Sequence, residues 1–290
     1  RVLHYPLRRQ RQIGIRDSSY TTMEMSGGLI GNNQVIGNGS SYYDYYGAGI
    51  LHMSAASTTI SGGIIRGNEG GRGSAIYYAG SQNSGSVILS GGQITGNKTN
   101  ISEKSPQGVY SKVYVQGWDF QLKGGGADNR DNIYLNSTSH LIKVSGNIYQ
   151  TGRLYHVFLN QGSSGNQFKK GSVVVQPDGN WMTDATPYLA YFEVHSNPYV
   201  LDRGQVSQDT SNATVTGVKE NQTLLLMQAV YLDSEHGDDS WDGTTPGKAV
   251  KTFTRAKYVG TNGIGGSAVE DYYIIYVSGK ATNTAAESTW

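Results

Sequence analysis

Three features of the sequence predict an all-β chain built as a β-solenoid, in which short parallel strands stack coil upon coil. First, an octapeptide recurs three times, as Ser26-Gly27-Gly28-Leu29-Ile30-Gly31-Asn32-Asn33, Ser61-Gly62-Gly63-Ile64-Ile65-Arg66-Gly67-Asn68 and Ser90-Gly91-Gly92-Gln93-Ile94-Thr95-Gly96-Asn97. Its copies start 35 and then 29 residues apart, a spacing typical of stacked structural repeats. Second, glycine takes 40 of the 290 positions. Each glycine costs about 0.8–1 kcal/mol inside a helix, so strands and turns win over long helices. Third, the aligned copies place apolar residues at the same positions. A unit this short cannot bury them alone, so the copies must stack.

The alignment defines the coil. Gly47 to Asn68 spans 22 residues and Gly73 to Asn97 spans 25. Each opens on Gly, a small residue and an Ile (Gly47-Ala48-Gly49-Ile50; Gly73-Ser74-Ala75-Ile76) and closes on the octapeptide. Three short β segments separated by Gly and Ser turns fit this length. Met25, Ile60 and Leu89 form one predicted interior ladder, and Ile30, Ile65 and Ile94 a second. At about 1.5–3 kcal/mol for each fully buried aliphatic side chain, these ladders are enough to set the register. The adjacent position reads Leu29, Ile64, Gln93, and its tolerance of Gln places it outside or at a rim. Asn33, Asn68 and Asn97 align as a structural ladder of amides bonded from coil to coil.

Length variation is confined to one corner, at residues 34–46, 69–72 and 98–106. Insertions in a solenoid project from one side, which is commonly the binding face. The first insertion carries Tyr42-Tyr43-Asp44-Tyr45-Tyr46, and tyrosine offers stiff contact area with a polar tip. The candidate ligand-binding set is Tyr42, Tyr43, Asp44, Tyr45, Tyr46, Arg72, Tyr77 and Tyr78. The alternative is that these rings fold back to cover the coils.

From about residue 108 the repeat changes character. Short apolar runs follow at 110–115, 131–135, 140–148, 153–160, 171–175, 188–194, 199–202 and 223–227, with Gly, Pro, Asn or Asp between them. The expected organisation is β-helix coils over 1–150, then an irregular β continuation or a separate small β unit over 151–228. At Ala229 the register restarts, so 229–290 opens a further unit. It comprises a strand at Val230-Tyr231-Leu232, an acidic loop over 233–247, a short capping helix from Ala249 to Val259 and a strand from Tyr272 to Val277.

Composition excludes several classes. Net charge is +1, so nothing global steers the chain to nucleic acid. Five arginines crowd the first sixteen residues (Arg1, Arg8, Arg9, Arg11, Arg16), either as a solvated edge or as an anion patch. There is no cysteine, and no run approaches the ~18 apolar residues of a membrane span. The start without Met and the stop at Trp290 suggest a piece of a longer polypeptide. Asp238, Ser240 and Asp242 with Gly243 match positions 1, 3, 5 and 6 of a calcium loop. Position 12, however, is Ala249 where a bidentate Glu is needed, so Ca2+ competes here with an ordinary Asx-turn loop leading into the helix. No other cofactor is expected. Carboxylates are sparse over the coils, and the six histidines are scattered singly. No His-Glu-x-x-His, Gly-x-Ser-x-Gly or phosphate loop is present, so no catalytic residue is assigned.

The run Tyr231-Leu232-Asp233-Ser234-Glu235-His236-Gly237-Asp238-Asp239-Ser240-Trp241-Asp242-Gly243-Thr244-Thr245-Pro246, with Ala249-Val250-Lys251-Thr252-Phe253, resembles the opening of right-handed parallel β-helix domains in bacterial surface and carbohydrate-active proteins. The octapeptides resemble repeats of chlamydial polymorphic outer-membrane proteins and of large adhesins from Gram-positive gut bacteria. Asp131-Asn132-Ile133-Tyr134-Leu135 with Ile142-Lys143-Val144-Ser145-Gly146 is similar to the closing strand pair of the latter. The resemblance covers residues 24–148 and 229–277. It implies a right-handed parallel β-helix with a small capping helix, located outside the cell at a bacterial surface. The implied role is a non-catalytic, adhesin-like segment that binds a host surface or secreted protein, or a glycan. An immunoglobulin is one conceivable host protein, and no residue singles it out. The alternatives are a fragment of a polysaccharide lyase or hydrolase, and a structural spacer.

Overall fold

The structure is a computed structural model. It describes residues 15–17, 22–35, 47–52, 57–70, 73–78, 87–99, 109–110, 113–116, 121–123, 133–135, 138, 141–145, 155–159, 167–177, 183–196, 198–203, 222–262 and 273–280. The chain is strand-rich and divides into two compact units, Arg1–Ile133 and Tyr134–Trp290.

The first unit runs through β1 (Ile15–Asp17) and β2 (Thr22–Gly31), then β3 (Ile50–His52), β4 (Ser57–Arg66) and β5 (Glu69–Gly70). The next repeat supplies β6 (Ile76–Tyr78), β7 (Val87–Leu89), β8 (Gln93–Thr95) and β9 (Lys98–Thr99), and a further passage supplies β10 (Val109–Tyr110), β11 (Val113–Gln116) and β12 (Gln121–Lys123). Every pairing among them is parallel. β1, β3, β6 and β10 pair in succession. β2 pairs β4, β4 pairs both β7 and β8, and these pair β11 and β12. β5 pairs β9. The passages β3–β5 and β6–β9 each contribute to three sheets, but their third strands, Glu69–Gly70 and Lys98–Thr99, lie just past the predicted coil ends at Asn68 and Asn97, in the stretches expected to be insertions.

The register lays repeat on repeat. Met25 lies opposite Ile60 and Ile60 opposite Leu89, while Ile30 lies opposite Ile65 and Ile65 opposite Ile94. Ile60, Leu89, Ile65 and Ile94 are buried, as are Ile50 and Ile76, which face each other in the first sheet. The neighbouring rung behaves as its Gln demanded: Leu29 is 46% exposed, and Ile64 and Gln93 are half-buried. The stacking also continues one passage beyond the change at residue 108. Val109 registers with Ile76, Val115 with Leu89 and Leu122 with Ile94, although the octapeptide is gone.

Turn chemistry explains the conserved spacing within the repeat. The seventh octapeptide position has φ of 58° at Asn32, 62° at Gly67 and 62° at Gly96. Left-handed backbone is open to Gly and, among other residues, most readily to Asn, which is why the first copy tolerates Asn there. The turn delivers the following Asn inward. Asn33, Asn68 and Asn97 are all buried and bonded in series: Asn33 Nδ2 donates to Asn68 Oδ1 at 2.7 Å, and Asn68 Nδ2 to Asn97 Oδ1 at 2.8 Å.

The unit boundary falls within β13 (Ile133–Leu135), and the second unit continues through β14 (Ile142–Ser145), β15 (Tyr155–Leu159), β16 (Val173–Pro177), β17 (Phe192–Val194), β18 (Tyr199–Arg203), β19 (Leu224–Asp233), the helix α1 (Phe253–Asn262) and β20 (Tyr273–Ser278). One sheet joins β13, β15 and β17. The other centres on β19, which pairs antiparallel with β16 and β18 and parallel with β20. β14 joins it through a parallel pairing with β16. Residues Leu224 to Val230 are all buried, the pattern of a strand covered on both faces. The expected restart at Ala229 falls inside this unbroken strand, whose first half holds β18 and whose second half holds β20.

Two elements differ from expectation in detail. The run 188–194 is a strand only from Phe192, because Thr186–Tyr191 winds as a 3-10 turn begun by Pro187, whose ring presets a helical φ. The helix begins at Phe253 rather than Ala249, since Val250 bridges to Leu232. Its buried Ala256 and Val259 pack with Val230, Leu232 and Val250. At its other end the buried Lys170 Nζ donates to the carbonyls of Gly260 (3.0 Å) and Thr261 (3.5 Å). A cation there meets the negative end of the helix dipole. Gln228 Nε2 adds a bond to the Val259 carbonyl at 3.1 Å.

Candidate functional site

Among the described residues, one group of three His or carboxylate side chains converges closely enough to share an ion: His156, Glu193 and His195. β15 and β17 bring it together. Their parallel register sets Tyr155 against Phe192 and His156 against Glu193. Alternation then sorts the faces. Tyr155, Val157, Leu159 and Phe192 turn inward and are buried, with the Tyr155 and Phe192 rings stacked at 5.3 Å. His156 and Phe158 stand on the outer face, beside Glu193 and His195.

The backbone carries the pairing one step past β17, where the His195 N–H donates to the Val157 carbonyl at 2.9 Å. His156 Nδ1 approaches His195 Nε2 at 2.5 Å. Glu193 Oε2 lies 3.3 Å from His156 Nδ1 and 3.5 Å from His195 Nε2. Phe158 stacks on the His195 ring, with centroids 5.2 Å apart and planes 19° from parallel, which limits its rotation. Burial, reinforced by the neighbouring His195, lowers the pKa of His156 below the ordinary histidine value against the opposing pull of Glu193. Two imidazole nitrogens and one carboxylate oxygen, partly open to solvent, can either share a proton or ligate a cation.

Sequence reading missed this cluster because 39 residues separate the two histidines. The local signal was Glu193-x-His195, whose spacing of two puts both side chains on one strand face. The strand that would supply the second imidazole is not readable from that spacing.

The acidic loop takes the Asx-turn arrangement. Asp238 Oδ1 accepts the Ser240 N–H at 2.7 Å, and Asp242 Oδ1 accepts the Thr244 N–H at 3.1 Å and hydroxyl at 2.8 Å. Lys248 Nζ lies 3.7 Å from Asp242 Oδ2. These backbone donors hold both carboxyls below the usual Asp range. Asp239, unassigned from sequence, has the larger structural role. Its Oδ1 accepts the N–H groups of Lys251 (2.8 Å) and Thr252 (2.9 Å), and its Oδ2 the Thr252 hydroxyl (2.8 Å). Thr252 Oγ1 in turn accepts the Arg255 N–H at 3.1 Å, an N-cap for α1.

Of the expected ligand-binding residues, Tyr42, Tyr43, Asp44, Tyr45, Tyr46 and Arg72 lie outside the described residues, as does the Tyr78 side chain. Tyr77 is buried at 8% exposure and registered between Leu51 and Tyr110. The flanks of the insertions are in register. Gln34 bridges Glu69 and Glu69 pairs Lys98, while the chain resumes at Ile50 opposite Ile76.

No protein-family model, curated protein or solved structure matches this chain. No helix among the described residues is long and apolar enough to cross a membrane.

Proposed function

We propose that this chain is a non-catalytic segment of an extracellular bacterial surface protein, a right-handed parallel β-helix that binds a host protein or glycan through its corner insertions. The observation that supports this most is the alignment of the insertion flanks, Gln34 over Glu69 over Lys98. Segments of unequal length leave the stacked strands at equivalent places, so a regular scaffold carries a variable surface. Parallel stacking of the three octapeptides favours the coil architecture, and the right hand follows from the resemblance of the repeats to adhesin coils. Within the insertions, Tyr42, Tyr43, Asp44, Tyr45, Tyr46 and Arg72 are the proposed contacts, with Tyr78 at the following strand.

The test is a glycan and serum-protein array probed with the full chain, followed by alanine substitution across Tyr42–Tyr46. Loss of a saturable signal in the alanine series is the expected result. A chain that binds nothing on either array acts as a spacer. Depolymerisation of any member of a polysaccharide panel makes it a carbohydrate-active enzyme.

A further inference from the structure

We propose that His156, Glu193 and His195 form a three-ligand site for a divalent transition-metal ion of the Zn2+ class, with its fourth position open to solvent. The site lies in the second unit, and its assignment does not rest on the adhesin reading. Its donors are those zinc prefers when thiolates are absent: two imidazole nitrogens and a carboxylate oxygen. Two donors each 2.0–2.1 Å from a tetrahedral ion lie about 3.3–3.4 Å apart. The carboxylate already meets that spacing, at 3.3 Å to His156 Nδ1 and 3.5 Å to His195 Nε2. The two nitrogens, 2.5 Å apart, must separate by about 0.8–0.9 Å to reach it. The side chains that give way are the open ones, since His195 is 38% and Glu193 47% exposed, against 17% for His156.

The strand pair makes the site rigid where it counts. His156 and Glu193 are direct register partners, and His195 is tied to Val157 by its backbone N–H. The inner faces of the same residues' neighbours are locked by the Tyr155–Phe192 stack. Phe158 stacks on one face of the His195 ring, which restricts how far that imidazole can turn. Hard cations such as Ca2+ and Mg2+ are disfavoured, because they require a shell of oxygens. Three protein ligands leave one position for water or for a donor from a bound molecule.

The experiment is calorimetric titration of the full chain with Zn2+ alone, after chelator treatment, on the parent and three variants. The parent is expected to bind one saturable equivalent. His195→Ala and Glu193→Gln, both at exposed side chains, are each expected to weaken it about tenfold or more with unchanged far-UV circular dichroism. His236→Ala, which removes the 3.6 Å pairing of His236 with Asp233, is expected to leave binding intact. Co2+ in place of Zn2+ gives the visible bands of a tetrahedral nitrogen–oxygen site in the parent and not in His195→Ala. Absence of saturable binding overturns the proposal and leaves a proton-sharing histidine pair. Zinc uptake that persists unchanged in both ligand variants, or falls equally in His236→Ala, overturns it as well.

Discussion

Replacing Asn68 by Ala tests whether the amide ladder holds the repeats together. The Asn68 side chain uses all of its hydrogen-bonding capacity. Its Nδ2 donates to Asn97 Oδ1 at 2.8 Å and to the Ile30 carbonyl at 3.2 Å, and its Oδ1 accepts the Asn33 backbone N–H at 3.2 Å and Asn33 Nδ2 at 2.7 Å. Asn33, Asn68 and Asn97 are each at most 5% exposed, so water cannot readily take over. A net bond contributes about 0.5–1.5 kcal/mol, and a buried polar group left without a partner costs about 1–3 kcal/mol. Asn68→Ala breaks four such bonds and strips partners from Asn33 and Ile30, which places its cost at about 3–5 kcal/mol. That is a large share of the roughly 5–15 kcal/mol that a domain possesses. Asn33→Ala removes one side-chain donor at the ladder's end and should cost about 1 kcal/mol. Urea unfolding followed by circular dichroism measures both. If Asn68→Ala falls within about 0.5 kcal/mol of the parent, or matches Asn33→Ala, the ladder is not what joins the coils.

Gly91→Ala and Gly27→Ala occupy the same octapeptide position but should differ. A Cβ at Gly91 presses into the Ser61 carbonyl of the preceding repeat and costs about 1–3 kcal/mol, whereas a Cβ at Gly27 meets nothing within 4 Å and is near neutral. Equal melting temperatures would refute the stacking order. Thr252→Ala removes the cap on Arg255 and the hydroxyl bond to Asp239, and should cost about 1 kcal/mol, read as faster amide exchange in α1. At Asp239, burial raises the carboxyl pKa, but the Thr252 and Lys251 bonds outweigh it and hold the carboxyl below its ordinary value. Its contribution is therefore complete above the ordinary Asp range and is lost as acid carries the pH down through the lowered value. Asp239→Asn should flatten that acid limb. Tyr155 runs the other way: burial holds its phenol far above its ordinary value of 10.0, so stability falls as pH climbs past that value. Tyr155→Phe should reduce the alkaline loss in a pH series of thermal melts, the remainder coming from Tyr199 and Tyr276, whose phenol pKa values burial also raises.

The repeat region was legible because its determinants are local and recur. Ile60 and Ile65 lie at the same offsets from the start of their octapeptide as Leu89 and Ile94 from the start of theirs, and a parallel stack converts equal offset into contact. The passage over β10–β12 was harder to see, since it keeps the register of Val115 on Leu89 and Leu122 on Ile94 without the Gly-Gly turn that advertised the others. The 229–280 segment was readable in kind but displaced in its limits. The helix start depends on Asp239, twelve residues before the first amide it binds, and the supposed break at Ala229 lies within a strand whose two halves take partners of opposite direction.

Composition and periodicity, taken alone, determined that this chain forms strands, that its octapeptides pair copy on copy, and that Ile60, Ile65, Leu89 and Ile94 are buried, whereas Ile30 of the first copy, expected beside them, is only half-buried. Those properties follow from spacing along the chain, because an apolar residue at a fixed offset in stacked units meets its own counterpart. The assembly of His156, Glu193 and His195 was decided only by tertiary structure. It depends on β15 choosing β17 as its neighbour across more than thirty intervening residues, a choice made by the packing of Tyr155 on Phe192 rather than by the histidines themselves.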